Sequence, residues 1–235
     1  MAIPIVTDYK MHSMVFLKLL GISFASLLIS CNTQTKAVMS DKPASQPDIR
    51  TDTIPAGDLE IATLGGGCFW CVEAIYQDVE GVYSVESGYS GGTAETADYR
   101  TVCSGTTDHA EVVQVKFNPK VVSFEEILEI FWSTHNPTTL NRQGNDVGPQ
   151  YRSVIFYHTL TQKAIAEKSR AEVAPQIWDD PIVTEITPFT GYWPAEDYHQ
   201  DYYNLVGDRN PYCTFIITPK VQKFRKQFAD KLKKG

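Results

Sequence analysis

The feature that most constrains this chain is the run Gly65-Gly66-Gly67-Cys68-Phe69-Trp70-Cys71. Consecutive glycines are poor helix formers, and here they follow a short β-prone stretch, Glu60-Ile61-Ala62-Thr63-Leu64. On the other side, Val72, Ala74, Ile75 and Val79 have helical spacing, with Gly81 as a stop. The chain is therefore predicted to run strand, glycine turn, helix, with Cys68 at the helix N-terminus. Free backbone N–H groups and the positive dipole end stabilise an anion there, so the expectation is a Cys68 thiol of lowered pKa. Phe69 and Trp70 beside a nucleophile suit an apolar, electron-rich pocket wall for an uncharged or weakly polar group.

Cys-x-x-Cys alone also fits half a zinc site, a structural disulfide or a thioredoxin-type pair. Zinc needs two further ligands at matching spacing, and the sequence has no second Cys-x-x-Cys and no His-x-His. The net charge of −7, without a Lys/Arg run, argues against nucleic acid. The late lysines, Lys220 to Lys234, are spaced like the solvated face of a terminal helix.

Downstream, strands are predicted at Val82 to Tyr89, Val112 to Phe117, Ser153 to Tyr157 and Ile182 to Thr187. Ser123-Phe124-Glu125-Glu126 reads as a capping box opening a helix with Ile127, Ile130 and Phe131 on one face. That helix should stop by Asn136-Pro137, because the residue before proline avoids the α region. Helices are also expected at Thr161 to about Val173, Ala195 to about Leu205, and from about Pro219, after Thr214 to Ile217. Alternating strands and helices point to a two-layer α/β arrangement.

The N-terminal part reads as a targeting segment. Lys18 precedes an apolar run from Leu19 to Ile29, too short to span a bilayer comfortably and of signal-peptide length. Leu28-Ile29-Ser30-Cys31 resembles the bacterial lipobox, in which the cysteine is lipidated. The expected organisation is a lipoprotein signal peptide over 1–31, a polar tether over 32–58 and a catalytic domain over 59–235. That implies an exported protein, lipid-anchored to a bacterial membrane on its periplasmic or cell-surface side.

Several further motifs occur in order. They are Tyr99-Arg100-Thr101-Val102-Cys103-Ser104-Gly105 with His109-Ala110-Glu111, and Arg142-Gln143-Gly144-Asn145-Asp146-Val147-Gly148 with Gln150-Tyr151-Arg152-Ser153. Then comes Trp193-Pro194-Ala195-Glu196-Asp197-Tyr198-His199-Gln200. Together with Gly-Cys-Phe-Trp-Cys these resemble the peptide methionine sulfoxide reductase A family, from about Ile61 to Phe228. The resemblance implies an α+β fold, a two-layer α/β sandwich with a ferredoxin-like core, extra helices and long loops. It also implies reduction of the S epimer of methionine sulfoxide, free or in oxidised proteins, without metal or organic cofactor.

By the same resemblance Cys68 is the attacking thiolate, and Phe69 and Trp70 hold the substrate methyl group with Tyr151 nearby. Glu111 protonates the departing oxygen, Tyr99 and Tyr151 hydrogen-bond it, and Asp146 orients the substrate or a water. The chemistry gives independent reasons: the sulfoxide oxygen needs a proton donor, and a carboxyl in an apolar pocket can hold its proton at neutral pH. His109 and His199 read as hydrogen-bonding scaffold, and Cys103 as a small buried residue.

A Cys68 sulfenic acid needs a second thiol to resolve it. Cys71, one helical turn away, is favoured. Cys213 competes, since other family members resolve with a C-terminal cysteine, and many relatives have glycine at the position of Cys71. A thioredoxin-like reductant is the expected partner, and a monomer the expected state. Two other readings fit parts of the sequence: a thiol–disulfide oxidoreductase using Cys68 and Cys71, and an anchored binding module stapled by two disulfides.

Overall fold

A computed structural model describes residues 59–234. The signal-peptide, lipidation and tether expectations for residues 1–58 lie outside the described residues. The described elements are β1 (Glu60–Gly66), α1 (Phe69–Tyr76), β2 (Val82–Ser90), α2 (Tyr99–Cys103), β3 (Ala110–Phe117), α3 (Phe124–Thr134), β4 (Arg142–Gln143) and β5 (Asp146–Val147). They continue with β6 (Ser153–Tyr157), α4 (Leu160–Glu172), β7 (Glu185–Pro188), β8 (Tyr192–Pro194), α5 (Tyr202–Val206) and α6 (Thr218–Gln227).

Six strands form one sheet in the order β7-β6-β1-β3-β2-β8, and β4 pairs with β5 in a small hairpin. Within the large sheet β6 and β7 are parallel, and the other pairings are antiparallel. The succession β1-α1-β2-β3-α3-β6, with β6-β1-β3-β2 as the sheet centre, is the split βαβ arrangement of a ferredoxin-like core. The fold is α+β, as expected.

Strand alternation divides the apolar side chains between two faces. Ala62, Leu64, Val113, Val115 and Ile155 join Val72 and Ile75 of α1 and Ile127 and Phe131 of α3 in the main core. Ala110, Val112, Val154 and Phe156 form a smaller cluster with Phe189 and Tyr192. The same alternation puts Glu111 in phase with Val113 and Val115, at the end of β3 and opposite Tyr89 of β2. Helix α3 starts on the predicted capping box: Ser123 Oγ accepts from the Glu126 N–H at 3.2 Å, and the Glu126 carboxylate accepts from the Ser123 N–H at 2.8 Å.

Three regions depart from expectation. Residues 195–205 are not one helix but a 3₁₀ turn at Asp197–His199 and the short α5. The Gln200 amide is spent bridging Ser87 N–H and C=O, and Asp201 takes a left-handed conformation at φ 52°. Strand β7 starts only at Glu185, because the Val183 N–H donates to Pro137 O past the end of α3. Helix α2, absent from the predicted elements, opens at Tyr99 and is capped by the Asp98 carboxylate accepting from the Thr101 N–H.

Candidate functional site

The glycine run does two jobs. Gly65 and Gly66 end β1 inside the sheet, whereas Gly67 leaves it with φ +92°. A side chain on Gly67 would lie 2.4 Å from Gln143 Cγ, so that position requires glycine twice over. The Gln143 amide in turn brackets Asn136, accepting from its N–H and donating to its carbonyl, both at 3.1 Å. The turn that delivers Cys68 is thus pinned against the β4–β5 hairpin that carries Asp146.

Cys68 caps helix α1 and is buried, with no hydrogen bond from its side chain to the helix end. The first N–H of the helix, Phe69 N, donates to Glu111 Oε2 at 3.0 Å. The helix terminus therefore serves Glu111 rather than the sulfur. Burial, the hydrogen-bonded Cys71 thiol and the nearby Glu111 push Cys68 upward, against the expected lowering. Cys71 is brought down to about 7, chiefly by its hydrogen bond from Cys68. The two buried thiols face one another at the start of α1 and titrate together as a pair.

Cys68, Phe69, Trp70, Tyr99, Glu111, Asp146 and Tyr151 line one cavity of about 220 Å³, together with Tyr212. Glu111 is buried, and desolvation raises its carboxyl to about 8. Burial also raises the Tyr99 and Tyr151 hydroxyls, so both stay protonated at neutral pH. Of the predicted residues, only the competing thiols stand off the cavity lining. Cys71 lies behind Cys68 in α1, its N–H donating to Cys68 O at 3.1 Å. Cys213 is fully buried in a π-turn, Cys213–Ile217, leading into α6. Cys68, Cys71, Cys103 and Cys213 all carry free thiols.

Four residues of the site were not identified from sequence. Tyr212 donates to Asp146 Oδ2 at 2.6 Å, closing the cavity beside Cys68. Tyr202 stacks flat on Trp70, with ring centroids 3.8 Å apart at 8°. Glu196 accepts from the Tyr99 N–H and the Tyr89 hydroxyl, each at 2.9 Å. Glu73, buried in α1, accepts from the Asp201 N–H at 3.1 Å and so ties the 195–206 segment to the cysteine helix. Desolvation raises Glu73 to about 7. The signal for Tyr212 was its place beside Cys213, and for Glu196 its place in the run that ends in His199-Gln200; neither spacing revealed a contact with the pocket.

The family model described as peptide methionine sulfoxide reductase matches residues 60–232. The peptide methionine sulfoxide reductase MsrA of Saccharolobus solfataricus is 55% identical over 175 residues, covering 74% of this chain and 98% of that protein. The same protein of Leptospira borgpetersenii is 56% identical over 168 residues, covering 72% and 94%. Among solved structures, reduced Mxr1 from Saccharomyces cerevisiae aligns with TM-score 0.61 at 34% identity, covering 68% of this chain and 92% of that one. Methionine sulfoxide reductase A of Corynebacterium diphtheriae aligns at 0.57 and 33%, covering 68% and 81%.

Proposed function

The chain belongs to the peptide methionine sulfoxide reductase family, and from that premise we propose how its pocket divides the reaction. The activity is thiol-dependent reduction of methionine sulfoxide to methionine, a protein-repair reaction. The observation that carries the division of roles is the convergence of Cys68, Phe69, Trp70, Tyr99, Glu111, Asp146 and Tyr151 on one small cavity.

The substrate methyl group lies against Phe69 and Trp70. Tyr99 and Tyr151 donate hydrogen bonds to the sulfoxide oxygen, and Asp146, held by Tyr212, orients the substrate or a water. Cys68 attacks the sulfoxide sulfur as Cys71 accepts its proton, and Glu111 protonates the oxygen as its bond to sulfur breaks. The attack joins Cys68 sulfur to the substrate sulfur and the oxygen leaves as hydroxide. That hydroxide then adds to Cys68 sulfur as the bond between the two sulfurs breaks, leaving a Cys68 sulfenic acid, so the substrate sulfur gains two electrons and Cys68 sulfur loses two. Methionine departs. The Cys71 thiol then attacks the sulfenic sulfur, forming the Cys68–Cys71 disulfide and releasing water.

The place of Cys71 in the first turn of α1, with its N–H on Cys68 O at 3.1 Å, supports Cys71 as resolver over Cys213, which is fully buried in its π-turn. An external dithiol must then reduce the disulfide. We assign that part to a thioredoxin-like protein, as the family resemblance implies, and the same resemblance supports selectivity for the S epimer. The lipobox-like Leu28-Ile29-Ser30-Cys31 supports an exported, membrane-anchored placement. Cys31→Ser should move the protein from the membrane to the soluble fraction of cells.

The test of the roles is the chemical step alone. Reduced enzyme mixed with methionine sulfoxide, without added reductant, should release one methionine per enzyme. The single-turnover rate should rise as the Cys68–Cys71 pair ionises near pH 7 and fall as Glu111 loses its proton near pH 8. A Glu111→Gln variant that kept the parent's rate and its high-pH fall would remove Glu111 from the acid role.

A further inference from the structure

Trp70 is held by more than packing. Tyr202 lies flat on its ring and Tyr212 meets it edge-on at 6.1 Å and 75°. Stacking fixes the plane of an indole but not which edge faces a neighbour. The edge is chosen by a directed bond: Trp70 Nε1–H donates to His199 Nδ1 at 3.2 Å. Trp donates only, so Nδ1 must be the acceptor and the imidazole carries its proton on Nε2. Nε2 is buried, has no hydrogen-bond partner among the described residues, and lies 3.9 Å from Glu196 Oε2. That separation is too long for a direct hydrogen bond, but it places a carboxylate charge at the N–H end of the ring.

We propose that His199, oriented in its Nε2–H tautomer by Glu196, is a positioning residue that sets the indole edge Trp70 presents to the sulfoxide. The inference rests on the assignment of Trp70 to the methyl-binding wall. His199 touches three walls of the cavity at once: its ring lies 5.2 Å from Phe69, 5.5 Å from Trp70 and 4.3 Å from Tyr99. Glu196 reaches the same parts through the Tyr99 N–H. Burial lowers the His199 pKa, which keeps Nδ1 free to accept. The segment misread as helix is therefore irregular for a reason. Its 3₁₀ turn, with Glu196 just before it, presents the His199 ring with Trp70 at Nδ1 and Glu196 at Nε2, and α5 brings Tyr202 onto the indole.

The test is a double-mutant cycle on steady-state kinetics with N-acetylmethionine sulfoxide and dithiothreitol as reductant. His199→Phe keeps a ring of similar shape but leaves the Trp70 N–H without its acceptor. It should raise KM about tenfold and leave kcat within about twofold. His199→Asn, whose amide oxygen can stand in for Nδ1, should recover most of that loss. Trp70→Phe should itself raise KM, and adding His199→Phe to it should cost less than about a further twofold, since the bond is already gone. Glu196→Gln keeps the core ring intact and should raise KM by a smaller factor, about threefold, should His199→Phe fail to fold. A full-sized His199→Phe effect in the Trp70→Phe background, or an unchanged KM in a folded His199→Phe or Glu196→Gln protein, overturns the proposal. An unchanged KM in Trp70→Phe alone overturns the pocket assignment beneath it.

Discussion

The pocket has two walls made in different ways. The wall that carries Cys68, Phe69 and Glu111 is built by regular elements at the centre of the fold: β1 and β3 side by side, with α1 rising from the glycine turn. The facing wall, from Ala195 to Cys213, has little regular structure and is held by side chains reaching across the chain. Gln200 is bonded to Ser87, the Asp201 N–H to Glu73, Trp70 to His199 and Tyr212 to Asp146. The first wall gets its position from the packed core and the second from individual hydrogen bonds. Lesions at Cys68 and Glu111 of the first should therefore change the chemical step, and lesions in the second should change binding of the substrate.

The largest expected effect is on the first wall: Cys68→Ser should release no methionine at all, even in a single turnover. Glu111→Gln comes next. Its single-turnover rate should fall by about 10²–10³-fold with little change in substrate affinity, as expected of a proton donor. A Glu111 variant that weakened affinity and spared the rate would break the division between walls. On the second wall, Tyr202→Ala removes the ring stacked on Trp70 and should raise KM roughly three- to tenfold while sparing kcat. A loss confined to kcat would put that wall in the chemistry.

The smallest effect is at the joint between the walls. Glu73 ordinarily titrates near 4.5 but is raised to about 7 here by desolvation. The folded state therefore holds a proton that the unfolded chain releases earlier, and stability is lost as pH rises from about 4.5 through 7. Glu73→Gln offers an oxygen to the Asp201 N–H without titrating. Its stability relative to the parent, from urea midpoints, should improve between about pH 5 and pH 8. A difference that stayed flat across that range would show that Glu73 is not buried as a neutral acid.

The same contrast explains what could be read from the sequence. Strand β1, the glycine turn, α1 and the capped helix α3 follow local rules of alternation, helical spacing and capping, and they appear where expected. So does β3, whose period of two points Glu111 toward Cys68. The 195–205 segment has helical spacing, yet its polar side chains are taken up by Ser87, Tyr89 and Trp70, which are distant in sequence. No local rule reveals such partners. The lowered Cys68 pKa failed chiefly because the thiol is buried against Cys71, and the helix N–H meant to stabilise the thiolate is donated to Glu111, from strand β3. Tyr212 was hidden in the same way, since its role is a bond to Asp146 across the cavity.

The central claim is that Cys68 reduces the sulfoxide and Cys71 then resolves it. Peptide mapping by mass spectrometry tests both after reduced enzyme meets one equivalent of methionine sulfoxide under anaerobic conditions. The account predicts one methionine per enzyme and a Cys68–Cys71 disulfide, and in Cys71→Ser the same methionine with Cys68 left as a trappable sulfenic acid. A Cys68–Cys213 disulfide in the parent, or methionine release without oxidation of Cys68, would contradict it.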